Sequence, residues 1–143
     1  MKKLYLFFPV LTLIFFTAFS SALDQKDDIN KDTPAVKTIN AEPAATVGMT
    51  NTMKFTPDTV RIDVGETVEW TNSSLLAHTV TGDPSKAAIE GSVQLPEGSK
   101  AFDSGMLSPD QTFTHTFKKA GTYKYFCIPH EATKMYGWVI VEE

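Results

Sequence analysis

The feature that most constrains this chain is a period-two alternation of apolar and polar residues, repeated in short runs. Val60, Ile62 and Val64 alternate with Arg61 and Asp63. Val68 and Trp70 alternate with Thr67, Glu69 and Thr71. Phe113, His115 and Phe117 alternate with threonines, Tyr123 and Tyr125 with Thr122 and Lys124, and Val139 with Val141 about Ile140. A strand turns successive side chains to opposite faces, so each run fits a half-buried strand. Turn residues separate the runs: Pro57-Asp58, Gly65, Asn72-Ser73-Ser74, Gly82-Asp83-Pro84, Pro109-Asp110 and Ala120-Gly121. Short strands with regular turn punctuation predict an all-β sandwich or barrel. No segment carries a long helical period. Residues 85–89 have room for one helical turn inside a loop over 83–100 rich in Gly, Ser and Pro.

The pattern begins well inside the chain of 143 residues. Residues 1–22 read as a secretory signal: Lys2 and Lys3, an apolar run over 4–19, then Ser20-Ser21-Ala22 for cleavage. The run is shorter than the roughly 20 residues needed to span a bilayer, so cleavage is expected rather than a retained anchor. Residues 23–45 hold six charged side chains among 24–32 and two prolines, with no aromatic residue. Such a stretch cannot bury enough apolar surface to offset its ordering entropy, and it is predicted to be a flexible arm. The folded domain is then 46–143. A periplasmic or extracellular location follows from the signal. The formal charge of −4 lacks the basic face that a nucleic-acid binder needs.

Export makes the single cysteine, Cys127, informative. No intramolecular disulfide is possible, and a free thiol outside the cell is a liability unless buried or ligated. Cys127 ends one strand run, and Gly137 opens the next. Between them stand His130 and Met135, so a thiol, an imidazole and a thioether share one inter-strand loop. Thiolate and thioether suit Cu(I), while imidazole tolerates both copper oxidation states. Two His and one Cys in a plane with a weak axial Met form a blue-copper electron-transfer site. The second imidazole comes from His78 or His115. His78 follows the polar turn at Asn72-Ser73-Ser74, where a loop-end ligand reaches the site. His115 sits mid-strand on the face of Phe113 and Phe117, which fits a partly buried packing histidine. Met49, Met53 and Met106 have no ligand spacing and read as packing residues. A Cys–His hydrolase would leave Met135 and His78 without a role, and no oxyanion donor motif accompanies the pair. Zinc would call for more Cys or His and no Met.

At these residues the chain resembles the small cupredoxins, in the plastocyanin-like group that includes plastocyanin, amicyanin and halocyanin. The resemblance rests on Cys127-x-Pro129-His130-x4-Met135. It also rests on Phe55-x-Pro57, on Val64-Gly65-Glu66-Thr67-Val68-Glu69-Trp70-x-Asn72, on His78-Thr79-Val80 and on Gly121-Thr122-Tyr123. It implies a Greek-key β-sandwich of about 7–8 strands and one type 1 copper ion held by His78, Cys127, His130 and Met135. It further implies one-electron transport rather than an enzyme activity, in a monomer without a stable membrane span. An apolar patch around the outer histidine, here Ile128 and Pro129 with Leu75, Leu76 and Ala77, is the implied route for electrons. The acidic charge calls for redox partners with a basic face, such as cytochromes or oxidoreductases. Copper delivery or storage by the same ligands without redox turnover is the competing reading. One departure stands out: relatives commonly have Asn after the first histidine, tying the two ligand loops together, and here the residue is Thr79.

Overall fold

The computed structural model describes residues 42–143. The expected signal and most of the expected arm lie outside the described residues. Nine strands are described: β1 (Ala45–Met49), β2 (Phe55–Thr56), β3 (Thr59–Asp63), β4 (Thr67–Asn72), β5 (Thr81–Gly82), β6 (Phe102–Asp103), β7 (Thr112–Thr116), β8 (Gly121–Phe126) and β9 (Tyr136–Glu142). They form two sheets, ordered β2-β1-β4-β7 and β3-β9-β8-β5-β6. This is an all-β sandwich. Three of the strands, β2, β5 and β6, are only two residues long, which is why the alternation shows fewer runs. Strand β1 starts at Ala45, and Ala44 N–H already donates to the Thr67 carbonyl.

Both sheets mix directions. β1 runs parallel to β4, and β3 runs parallel to β9, while β4–β7 and β8–β9 are antiparallel. Most of the inward residues are marked by the alternation; Val47 of β1 is not. Val47, Val68 and Trp70 from one sheet meet Ile62, Tyr123, Tyr125, Val139 and Val141 from the other. Trp70 stands at the centre, edge-on to Tyr125 with ring centroids 5.4 Å apart. Its indole N–H donates to the Tyr125 hydroxyl at 3.0 Å, which satisfies a donor buried at 0% exposure. Gly137 gives the Tyr125 ring its room, because a Cβ there would stand 2.3 Å from the phenol carbon.

Two packing expectations fail. Val64 is 44% exposed, since β3 ends at Asp63 and the turn at Gly65 (φ 93°) carries the next residues outward. Met106 is 60% exposed, on the stretch leading out of β6, and is not a packing residue. Met49 is fully buried and Met53 packs against the core, as expected. His115 is half-buried on β7, stacked on Phe102 at 4.5 Å and edge-on to Phe117 at 4.8 Å. The helical turn within 83–100 is a single 3₁₀ turn, Pro84–Lys86, capped by the Asp83 carboxylate on the Ser85 N–H.

Candidate metal centre

The loop between β8 and β9 is built as two tight turns. Pro129 sits in the first turn of the 3₁₀ segment Ile128–Thr133, where its missing N–H costs nothing. His130 N–H closes the first turn onto the Cys127 carbonyl at 3.0 Å. His130 itself leaves the helical region (φ −121°, ψ 21°), so the run kinks there. Lys134 then takes a left-handed conformation (φ 59°) and reverses the chain. Met135 returns beside the cysteine, and Cys127 N–H donates to its carbonyl at 3.1 Å. Cys127 and Met135 are both fully buried.

His78 arrives from the opposite side. It lies before β5, held in an isolated bridge to Leu107 rather than in a regular strand. The turn after β4 forms a polar frame around it. Buried Asn72 donates to the Leu76 and Leu107 carbonyls at 2.8 and 2.9 Å and accepts from the Ser74 N–H at 3.0 Å. Ser74 Oγ lies 2.9 Å from His78 Nε2. A protonated Nε2 bonded there leaves the Nδ1 lone pair free.

That Nδ1 faces the other donors. Cys127 Sγ is 3.5 Å from His78 Nδ1 and 3.3 Å from His130 Nδ1, and the two Nδ1 atoms are 3.1 Å apart. A point equidistant from all three lies about 1.9 Å from each, close to metal–nitrogen bonds of about 2.0–2.1 Å and somewhat under metal–sulfur bonds of about 2.3 Å. The soft thiolate with two imidazoles suits copper, and this trio, with His78 and Cys127 buried and His130 half-buried, is the one cluster of metal-ligating groups found among the described residues. In the bare site, burial and then the neighbouring His130 hold the His78 imidazole below its ordinary value. Burial pushes the Cys127 thiol up, opposed by the Thr79 N–H donated to Sγ at 3.3 Å. A bound cation reverses that balance, since a coordinating thiol is deprotonated outright.

Thr79 does join the two ligand segments. Its hydroxyl accepts the Ile128 N–H at 2.8 Å, a bond from the segment between His78 and β5 to the loop carrying Cys127 and His130. Behind it, the Thr79 and Thr81 hydroxyls lie 2.9 Å apart, and Thr81 donates to Asp103 at 2.7 Å. Asp103 is paired with Lys86. His115 takes no part in the cluster. Leu75 (85% exposed), Leu76, Met106 and Ile128 are exposed apolar side chains; Leu75 and Leu76 precede His78, Met106 precedes Leu107, which bridges to His78, and Ile128 follows Cys127.

Sequence reasoning missed Ser74, Asn72 and Glu131 as parts of the site. Asn72 and Ser74 read as a turn, and their bonds to His78 and its carbonyl neighbours need the fold to be seen. Glu131, next to His130, reads as a solvated acid yet is 6% exposed. Burial opposes its ionisation, but hydrogen bonds from Ser92, Ile89 and Ala88 hold its carboxyl below the usual range.

A two-sheet β-sandwich with a Cys–His₂ cluster between a single inter-strand loop and one remote histidine defines the cupredoxin class of copper proteins. The family described as copper-binding proteins, plastocyanin/azurin family, matches residues 42–142. The chain belongs to that family, and copper is its cofactor. Amicyanin of Paracoccus versutus is 40% identical over 99 residues, covering 69% of this chain and 65% of the relative. Chloroplastic plastocyanin of Tetradesmus obliquus is 35% identical over 88 residues, covering 62% and 58%. The chain thus spans somewhat under two thirds of the length of these two relatives. Among solved structures, a Cu(I) form of an amicyanin variant aligns with TM-score 0.55 at 32% identity, covering 71% of this chain and 85% of that one. Relatives of this kind are cupredoxin electron carriers and not enzymes.

Proposed function

We propose that this protein carries single electrons between redox partners outside the cytoplasm, through one copper ion cycling between Cu(II) and Cu(I). The observation that carries the reading is the triangle of donor atoms, with edges of 3.1, 3.3 and 3.5 Å, in a buried site. His78, Cys127, His130 and Met135 would hold the ion, and a thiolate, two imidazoles and a thioether form a ligand set acceptable to both oxidation states. The chain's part is to keep those ligands still. Ser74 orients His78, Thr79 ties the two ligand segments, and the Thr79 N–H donates to the thiolate sulfur. Ligands that do not move between redox states keep reorganisation small.

Exchange with partners is placed at the His130 end, supported by the exposed apolar side chains Leu75, Leu76 and Ile128 on the segments that lead to His78 and His130. Such side chains suit the small, brief contacts of electron-transfer complexes, typically below about 1,200 Å². The acidic chain, at −4, favours partners with a basic rim, such as cytochromes or oxidoreductases, and an association that weakens with salt. Its apolar, lysine-headed N-terminus supports export to the periplasm or exterior, with residues 46–143 as a monomeric domain after a signal and a flexible arm.

Titration of the purified protein with Cu(II) tests the reading. An intense blue thiolate-to-copper band and a reversible redox couple are expected, and Cys127→Ser abolishes the band. A colourless protein that takes only Cu(I) overturns electron transport in favour of copper delivery or storage.

A further inference from the structure

Glu131 is the residue of the ligand loop whose placement the copper reading leaves without a purpose. It is an acid 6% exposed, and among the described residues the ion pairs join Arg61 to Glu142 and Lys86 to Asp103, not Glu131 to a cation. A buried carboxylate without a counter-ion is costly unless hydrogen bonds satisfy it. Here the Ser92 side chain and two backbone amides do so: Ala88 N–H donates to Oε2 and Ile89 N–H to Oε1, each at 3.0 Å. The arrangement spans 42 positions of sequence and joins the ligand loop to the loop after β5.

That second loop is itself braced. Asp83 caps its 3₁₀ turn, and Lys86 pairs with Asp103 of β6. Lys124 of β8 donates through Nζ to the Gly91 carbonyl at 2.6 Å, and Gln94 bridges to Lys124 through the backbone. It therefore offers a fixed platform rather than a loose flap. What is attached to it is the second turn of the ligand loop, from Glu131 to Lys134, where the Lys134 N–H closes on the Glu131 carbonyl at 2.9 Å. The first turn, which carries Cys127, is fixed separately by the Met135 carbonyl and by Thr79. His130 is the hinge between the two turns, and its non-helical backbone sets where its ring points.

We infer that Glu131 is a positioning residue for His130: its carboxylate clamps the second turn to Ala88 and Ile89, fixing the kink that faces the imidazole towards Cys127 before copper binds. A ligand held in its bound geometry in advance loses less freedom on binding, so the clamp also slows metal loss. The inference rests on the copper reading above.

The test compares copper-loaded wild type with Glu131→Gln, which keeps the shape and one acceptor oxygen, and Glu131→Ala, which keeps neither. Copper release to a chelator is expected to quicken about tenfold for Gln and about a hundredfold for Ala, since each lost bond to a charged acceptor is worth roughly a factor of ten or more. The copper hyperfine splitting shifts in the same order. In the metal-free Ala variant, the Ala88 and Ile89 amides exchange faster with solvent. A residue that only supports the fold would lower the melting temperature and leave release rate and hyperfine splitting at wild-type values; that outcome overturns the inference, as does unchanged protection of the two amides. If wild type takes up no copper, the copper reading falls and the inference with it. A blue wild type with blue, slow-releasing variants overturns the inference alone.

Discussion

Replacing Thr79 by Val tests whether one hydroxyl holds the two ligand segments together. Thr79 is 1% exposed, and Val fills nearly the same space. The change leaves the Ile128 N–H without its acceptor at 2.8 Å, while Thr81 keeps its bond to Asp103. The Ile128 bond is only part-buried, so the cost falls in the lower part of the range for an unsatisfied donor, about 1–2 kcal/mol. For a domain of this size each kcal/mol moves the melting temperature by roughly 4–8 °C, so Thr79→Val should melt about 5–15 °C below wild type. The Thr79 N–H that donates to Cys127 belongs to the backbone and survives, so the blue band should persist. Thr79→Ser restores the acceptor and should recover most of the loss. The assay is thermal unfolding followed by circular dichroism, with and without copper, beside a visible spectrum. Two results would refute the reasoning. A Val variant melting within about 2 °C of wild type would show that the bond contributes little. A Ser variant as unstable as Val would show that restoring the hydroxyl does not restore stability, so the Ile128 bond would not be its source.

Tyr125→Phe should cost about 1–3 kcal/mol in a urea titration, because it strands the buried Trp70 indole N–H; an unchanged midpoint would argue against that bond. Burial lowers the His115 pKa, so its neutral form stabilises the fold fully above the unfolded value of about 6.5. That contribution is lost as pH falls through the lower folded value, with a slope of at most about 1.4 kcal/mol per pH unit. His115→Phe should therefore flatten the stability profile of copper-loaded protein between pH 7.5 and 5, and an equally steep profile in the variant would exclude His115 as the source.

Much of the sandwich was legible because its core residues alternate within each strand. Val68 with Trp70, Tyr123 with Tyr125 and Val139 with Val141 announce their inward faces locally. The parallel pairings were not legible. Nothing near Thr59 says that it stands opposite Trp138, since that register is set by how two distant strands fill one core. The gathering of Cys127 and His130 in one loop, and of His78 rather than His115 beside them, could be read because spacing and strand face carry chemical meaning. The frame behind them could not. Glu131 looks like any loop acid until the fold brings Ala88 and Ile89 against it, and Met106 looks like core filler until β6 ends and leaves it outside. Thr79 shows the limit most clearly: sequence marks it as a departure from the family's habit, and only geometry shows that its shorter side chain still reaches the opposite loop.

The pairing of β3 with β9 governs the order in which the molecule can be finished. β9 is the last of the described strands, and it lies between β3 and β8. The loop with Cys127, His130 and Met135 is anchored at one end by that strand. The site therefore closes only when β9 has found partners some 80 positions earlier in sequence. Contacts that span most of a chain form slowly. The pocket that gathers His78, Cys127 and His130 is thus closed by pairings between strands far apart in sequence, not by the ligand loop alone.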